Sequence, residues 1–110
     1  MPHLTPAYRD GETLYLSGAL GFGSDGQISG DITEQTQKTL ENLEAVLKDN
    51  GVDRNSVMRC GVYLTDTANF AAFDAAYAAF FGDHLPARST IICGLALDTA
   101  LIEIDVIAKG

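Results

Sequence analysis

Apolar and polar residues change their spacing along the chain, and each change marks an element. In GETLYLSG, Leu14 and Leu16 alternate with Tyr15 and Ser17, the period of two that belongs to a half-buried strand. A glycine-rich stretch ending at SDG then supplies turn chemistry. In DITEQTQKTLENLEAVLKDNG the period lengthens, and Leu40, Leu43 and Leu47 recur at helical intervals. Asp31 stands at the N-cap, Glu34 completes the spacing of a capping box, and Gly51 suits the position just past the last turn. SVMRCGVYLTD returns to a period of two, with Met58, Cys60, Val62 and Leu64 alternating against Arg59, Gly61 and Tyr63. TANFAAFDAAYAAFFG predicts a second helix with Phe70, Phe73, Tyr77 and Phe80 on one stripe and Gly82 as its stop. An aromatic stripe at this spacing reads as core. Two further strands, RSTIICG and LIEIDVIAK, flank the turn LALDTA.

The order β-α-β-α-β-β predicts one α+β sandwich over residues 1–110, a mixed sheet with two helices on one face. In LIEIDVIA, Ile102, Ile104 and Val106 should face those helices. The other face then receives Glu103, Asp105 and Ile107, with Arg59 and Tyr63 from a neighbouring strand. Half apolar and half charged, such a face suits neither solvent nor core, and packing against other subunits would resolve it.

Composition narrows the classes. A chain of 110 residues is sized for a single modest core. Its net charge of -8 at pH 7, with seven scattered Lys and Arg, disfavours general binding to nucleic acid or to an anionic membrane. No apolar run approaches the roughly 20 residues of a spanning helix. MPHLTPAYRDGETLY lacks the basic and apolar regions of a secretory signal, and Met1 suggests an unprocessed start. Cys60 and Cys93, far apart inside apolar runs, read as free buried thiols in a reducing cytoplasm. His3 and His84 form no ligand cluster, so no metal is expected. SGALGFG has neither phosphate-loop spacing and reads as a hairpin turn.

One residue stands out chemically. In HLPARSTIICG, Arg88 places a permanent charge at the mouth of an apolar strand. Its planar fork suits a carboxylate bidentately, as lysine cannot. A structural ion pair with a neighbouring carboxylate is the alternative.

ETLYLSG, ENLEAVLKDNGV, VYLTDTANFAAFDAAYAAFFGDHLPARST and IEIDVIA together resemble the successive signatures of the RidA (YjgF-like) family of reactive-intermediate deaminases. The similarity runs from about Ala7 to Ala108, and the combination of PARS with IEIDVIA is its specific part. The resemblance implies a chorismate-mutase-like fold, a homotrimer with clefts between subunits, and no metal or cofactor. It implies hydrolysis of 2-enamine and 2-imino acids to 2-oxo acids and ammonia. Arg88 matches the arginine that binds the substrate carboxylate, and Glu103 the acid that handles the attacking water. Ser17, Gly18, Asp74, Thr90 and Ile102 fall among the residues expected to line the pocket. Thr90 stands where many relatives carry cysteine. Leu4 replaces the family's N-terminal tyrosine and Asp74 its helix asparagine, so a phenol is lost and a negative charge gained. Both departures favour a second reading, a non-catalytic trimer that binds small carboxylates such as 2-oxo acids. A third, a ribonuclease or translation inhibitor, runs against the charge.

Overall fold

The computed structural model describes residues 2–110, so Met1 lies outside the described residues. Its elements run β1 (Ala7–Asp10), β2 (Thr13–Ala19), α1 (Ile32–Asp49), β3 (Val57–Leu64), α2 (Phe70–Phe81), β4 (Ala87–Ile92) and β5 (Ile102–Lys109), with short 3-10 turns before β3 and α2. The capping box forms: Asp31 accepts from the Glu34 N–H at 2.9 Å, and Glu34 accepts from the Asp31 N–H at 3.1 Å. At the other end Gly51 takes φ of 82°, and its N–H donates to the Lys48 carbonyl.

The five strands form one sheet in the order β1-β2-β5-β3-β4. Every neighbouring pair is antiparallel except β3 with β4, which are parallel and joined through α2, the crossover that parallel pairing requires. The sequence pattern missed β1. It is a short, exposed edge strand without alternation, folded back on β2 through Gly11 at φ 59°.

Both helices cover the same sheet face. Leu14, Leu16, Cys60, Val62, Leu64, Ile102, Ile104, Val106 and Ala108 meet Leu40, Leu43, Leu47, Phe73, Tyr77 and Phe81 in one core. The alternation predicted for β5 holds along the whole strand, with Glu103, Asp105 and Ile107 half-buried on the far face.

Three core assignments change. Met58 is exposed, because the β3–β5 register slips between Val57 and Arg59 and Val57 takes the inward place. The buried aromatic stripe of α2 is Phe73, Tyr77 and Phe81, spaced by four, while Phe70 is exposed and Phe80 only partly covered. Cys60 is fully buried, but Cys93 lies just past the end of β4 and is half-exposed.

Two surfaces stay uncovered in the single chain. One is the far face of the sheet, where Tyr15, Arg59, Tyr63, Glu103, Asp105 and Ile107 lie without a second layer. The other is the free edge of β4, with Ile91 and Ile92 both exposed.

Candidate functional site

Register decides where the functional side chains point. Across the parallel ladder Arg88 stands opposite Cys60, a core residue, so Arg88 projects on the helix side of the sheet; Thr90, opposite Val62, does the same. The Arg88 guanidinium lies over the rings of Tyr77 at 4.8 Å, Phe73 at 5.2 Å and Phe70 at 5.7 Å, within the range at which ring quadrupoles attract a cation. Its Nη1 donates to Asp74 Oδ1 at 2.8 Å. Nε and Nη2 have no acceptor among the described residues.

Arg54 shows the contrast. Its Nε and Nη2 grip the Glu44 carboxylate and its Nη1 donates to the Phe80 carbonyl, while its guanidinium covers the Phe80 ring. That is an arginine fully engaged in tying α1 to α2, and the pairing holds the Glu44 carboxyl below its usual range. Arg88 is only half engaged. Its side chain is 23% exposed and opens on a cleft of about 480 Å³ lined also by Asp74, Tyr77, His84, Leu85 and Pro86. The structural ion pair and the free fork are therefore both present in one residue.

Glu103 sits elsewhere. It stands opposite Tyr63 in the β3–β5 ladder, on the face away from the helices. Gly18 makes room for it, since a Cβ at that position would collide with the Glu103 carboxylate. Burial first, and the charge of Asp105 second, push the Glu103 carboxyl above its ordinary range. Asp105 is itself anchored by the Tyr63 hydroxyl at 2.9 Å and the Gly61 N–H at 3.2 Å. Ser17 precedes Gly18 in β2, and its hydroxyl donates to the Thr5 carbonyl at 2.6 Å, so its remaining capacity is as an acceptor. Leu4 is 63% exposed and borders a small apolar groove with Ser17, Gly18, Phe22 and Val46.

Ile102 requires a correction. Its side chain is fully buried on the helix face, one position out of phase with Glu103, so only its backbone is open to a pocket beside that carboxylate. Gln35 is a residue the sequence reading passed over. Buried in α1, it donates to the Gly30 and Thr99 carbonyls and accepts from the Leu101 N–H at 2.9 Å, clamping the turn that feeds β5 and hence Glu103. A polar residue within a helical pattern gave no signal of this.

Within one chain, then, the structure brings Arg88, Asp74 and Thr90 to one side of the sheet and Glu103, with Gly18 against it, to the other. Among the described residues no group of three or more His, Cys, Asp or Glu is placed to hold a metal ion, and no helix is long and apolar enough to cross a membrane.

A model of the endoribonuclease L-PSP family matches residues 2–109. The chain belongs to that family. It is 46% identical over 101 residues to the RutC family protein UK114 of Drosophila melanogaster, covering 87% of this chain and 71% of that one. A RutC family protein of Pyrococcus horikoshii is 36% identical over 104 residues, covering 93% and 82%. Among solved structures, the Rid family protein YyfA of Yersinia pestis superposes with a TM-score of 0.94 at 30% identity, covering 100% of this chain and 90% of its own. RidA of an Antarctic Psychrobacter gives 0.94 at 26% identity, covering 99% and 89%. The resemblance carried by PARS and IEIDVIA is thereby borne out at the level of family and fold.

Proposed function

We propose that the protein hydrolyses reactive 2-imino acids, and the 2-enamine acids that tautomerise to them, to 2-oxo acids and ammonia. It does so as a homotrimer whose pockets combine Arg88 of one copy with Glu103 of the next. The observation that carries this reading is the unengaged Nε–Nη2 edge of Arg88 at a cleft wide enough for a small acid. The uncovered sheet face and the bare edge of β4 supply surfaces by which a second copy would bring its Glu103 to that cleft.

The chemistry asks little of the protein. A protonated imine carbon is already electrophilic, so catalysis consists of holding the carboxylate, aiming water at C2 and taking a proton from that water. Arg88 does the first and Glu103 the other two. Glu103 returns that proton to the nitrogen of the carbinolamine, which leaves as ammonia while the hydroxyl loses its proton and becomes the carbonyl of the 2-oxo acid. Family description as an endoribonuclease notwithstanding, a net charge of -8 offers no electrostatic footprint for RNA.

The decisive assay generates 2-iminopropanoate in situ with a serine dehydratase and follows its disappearance. Acceleration by the wild-type protein is expected. Its absence, together with saturable binding of 2-oxo acids, selects the non-catalytic binder, which Leu4 in the tyrosine position favours.

A pH profile tests the role of Glu103 more finely. The base must be ionised, so kcat/KM should fall as pH drops through its raised pKa. In Asp105→Asn the like charge is gone, and the acid limb should move to lower pH. Burial, the larger cause, remains, so the limb stays above an ordinary carboxylate's. An unmoved limb would separate Glu103 from the rate.

A further inference from the structure

Asp74 is the residue that the reading above leaves without a task. Its side chain is 49% exposed, it borders the same cleft as Arg88, and only its Oδ1 is engaged, by Arg88 Nη1 at 2.8 Å. A carboxylate beside the anion-binding arginine is costly if the ligand is simply an anion, because two negative groups then share one guanidinium. The arrangement makes sense for a ligand that carries both charges. An arginine with one free edge and an aspartate with one free oxygen present adjacent positive and negative poles, matching in sign the carboxylate and the protonated nitrogen on neighbouring carbons of a small 2-imino or 2-amino acid.

We propose that Asp74 is the specificity-determining residue of the Arg88 cleft, selecting zwitterionic ligands with a protonated nitrogen on C2 over 2-oxo acids. The proposal rests on the deaminase reading for its biological sense, since it names what distinguishes that reaction's substrate from its product. The substrate enters as R–C(=NH2+)–COO−, with its carboxylate on the Nε–Nη2 edge of Arg88 and an N–H donating to Asp74 Oδ2. Water adds to C2, the C–N bond breaks, and the products are R–CO–COO− and NH4+, with two protons of water leaving on nitrogen and its oxygen retained on C2. At that point the N–H donor facing Asp74 has been replaced by a carbonyl oxygen, whose lone pairs meet a carboxylate. Attraction becomes repulsion, and the product leaves. Asparagine at this position, its carbonyl accepting from Arg88, turns its NH2 toward the ligand and donates to the carbonyl of the oxo acid.

The test reads binding, with turnover by wild type as its control. Binding of 2-aminobutanoate, a stable zwitterion, and of 2-oxobutanoate is measured by calorimetry on the full-length wild-type protein, on Asp74→Asn and on Arg88→Ala. Wild type should prefer the amino acid. Asp74→Asn should shift the ratio of the two affinities toward the oxo acid by about ten- to a hundredfold, the range of one hydrogen bond to a charged group. Arg88→Ala should bind neither. An unchanged ratio in Asp74→Asn, with imine hydrolysis by wild type intact, overturns the role of Asp74 alone. Undiminished binding of both ligands by Arg88→Ala overturns this proposal and the deaminase reading together. Circular dichroism of each variant, with the wild-type melting profile expected, excludes misfolding as the cause.

Discussion

Replacing Glu103 by glutamine is expected to lower kcat for imine hydrolysis by roughly 10²–10⁴-fold, the usual contribution of a positioned general base. The amide keeps the volume that Gly18 leaves open and so preserves the local packing. What it removes is the acceptor for the proton of the attacking water. Because the carboxylate of the substrate is held by a different group, binding of a 2-oxo acid should change little, and the loss should appear in kcat rather than in KM. Steady-state kinetics beside a binding isotherm on the same variant checks this. A drop in affinity equal to the drop in rate would make Glu103 a binding residue instead.

Arg88 should show the opposite signature. Arg88→Lys retains the charge but loses the planar fork, and each charge-assisted hydrogen bond lost is worth roughly 1.5–3 kcal/mol. A fall in kcat/KM of roughly 10–10²-fold for lysine is expected, carried by KM, and roughly 10²–10⁴-fold for alanine, since tenfold corresponds to about 1.4 kcal/mol. Alanine is worse for a further reason: it leaves the Asp74 carboxylate unpaired in the cleft, facing an anion. The two variants also test each other. Equal amounts of Arg88→Ala and Glu103→Gln, unfolded and refolded together, should regain activity, because about a quarter of the interfaces in a random ring then carry both intact groups. No recovery from a mixture that assembles normally would mean that both groups serve the same chain.

Much of the architecture was legible along the chain because its helices and strands differ in period. The Asp31–Glu34 box, the Leu40–Leu43–Leu47 stripe and the alternation of Ile102 to Ala108 are each a local pattern with one geometric solution, and each reappears in the fold. Where reading failed, the cause was an event that local pattern does not encode. The slip that turns Met58 outward is a property of two paired strands, and β1 owes its existence to the edge of β2 rather than to its own alternation.

The candidate site was legible by residue and not by arrangement. Arg88 was conspicuous because a charge interrupts an apolar run, whereas Glu103 was singled out by the resemblance alone. Their placement on opposite faces follows from which residue of β3 stands against each, Cys60 for one and Tyr63 for the other, and no single strand contains that information. The Asp74–Arg88 pair joins residues fourteen positions apart through the α2–β4 turn, a separation with no periodic signal. Ile102 entered the candidate list through the resemblance, although the alternation of β5 turns its side chain to the helix face.

That division across the sheet bears on how the protein would respond to its surroundings. In the proposed ring, a lone chain can be perfectly folded and still inert, holding two unmatched halves of different pockets. Competence would then follow mass action between copies and not the folded fraction. Dilution alone would silence it while its spectroscopic signature of native structure persisted.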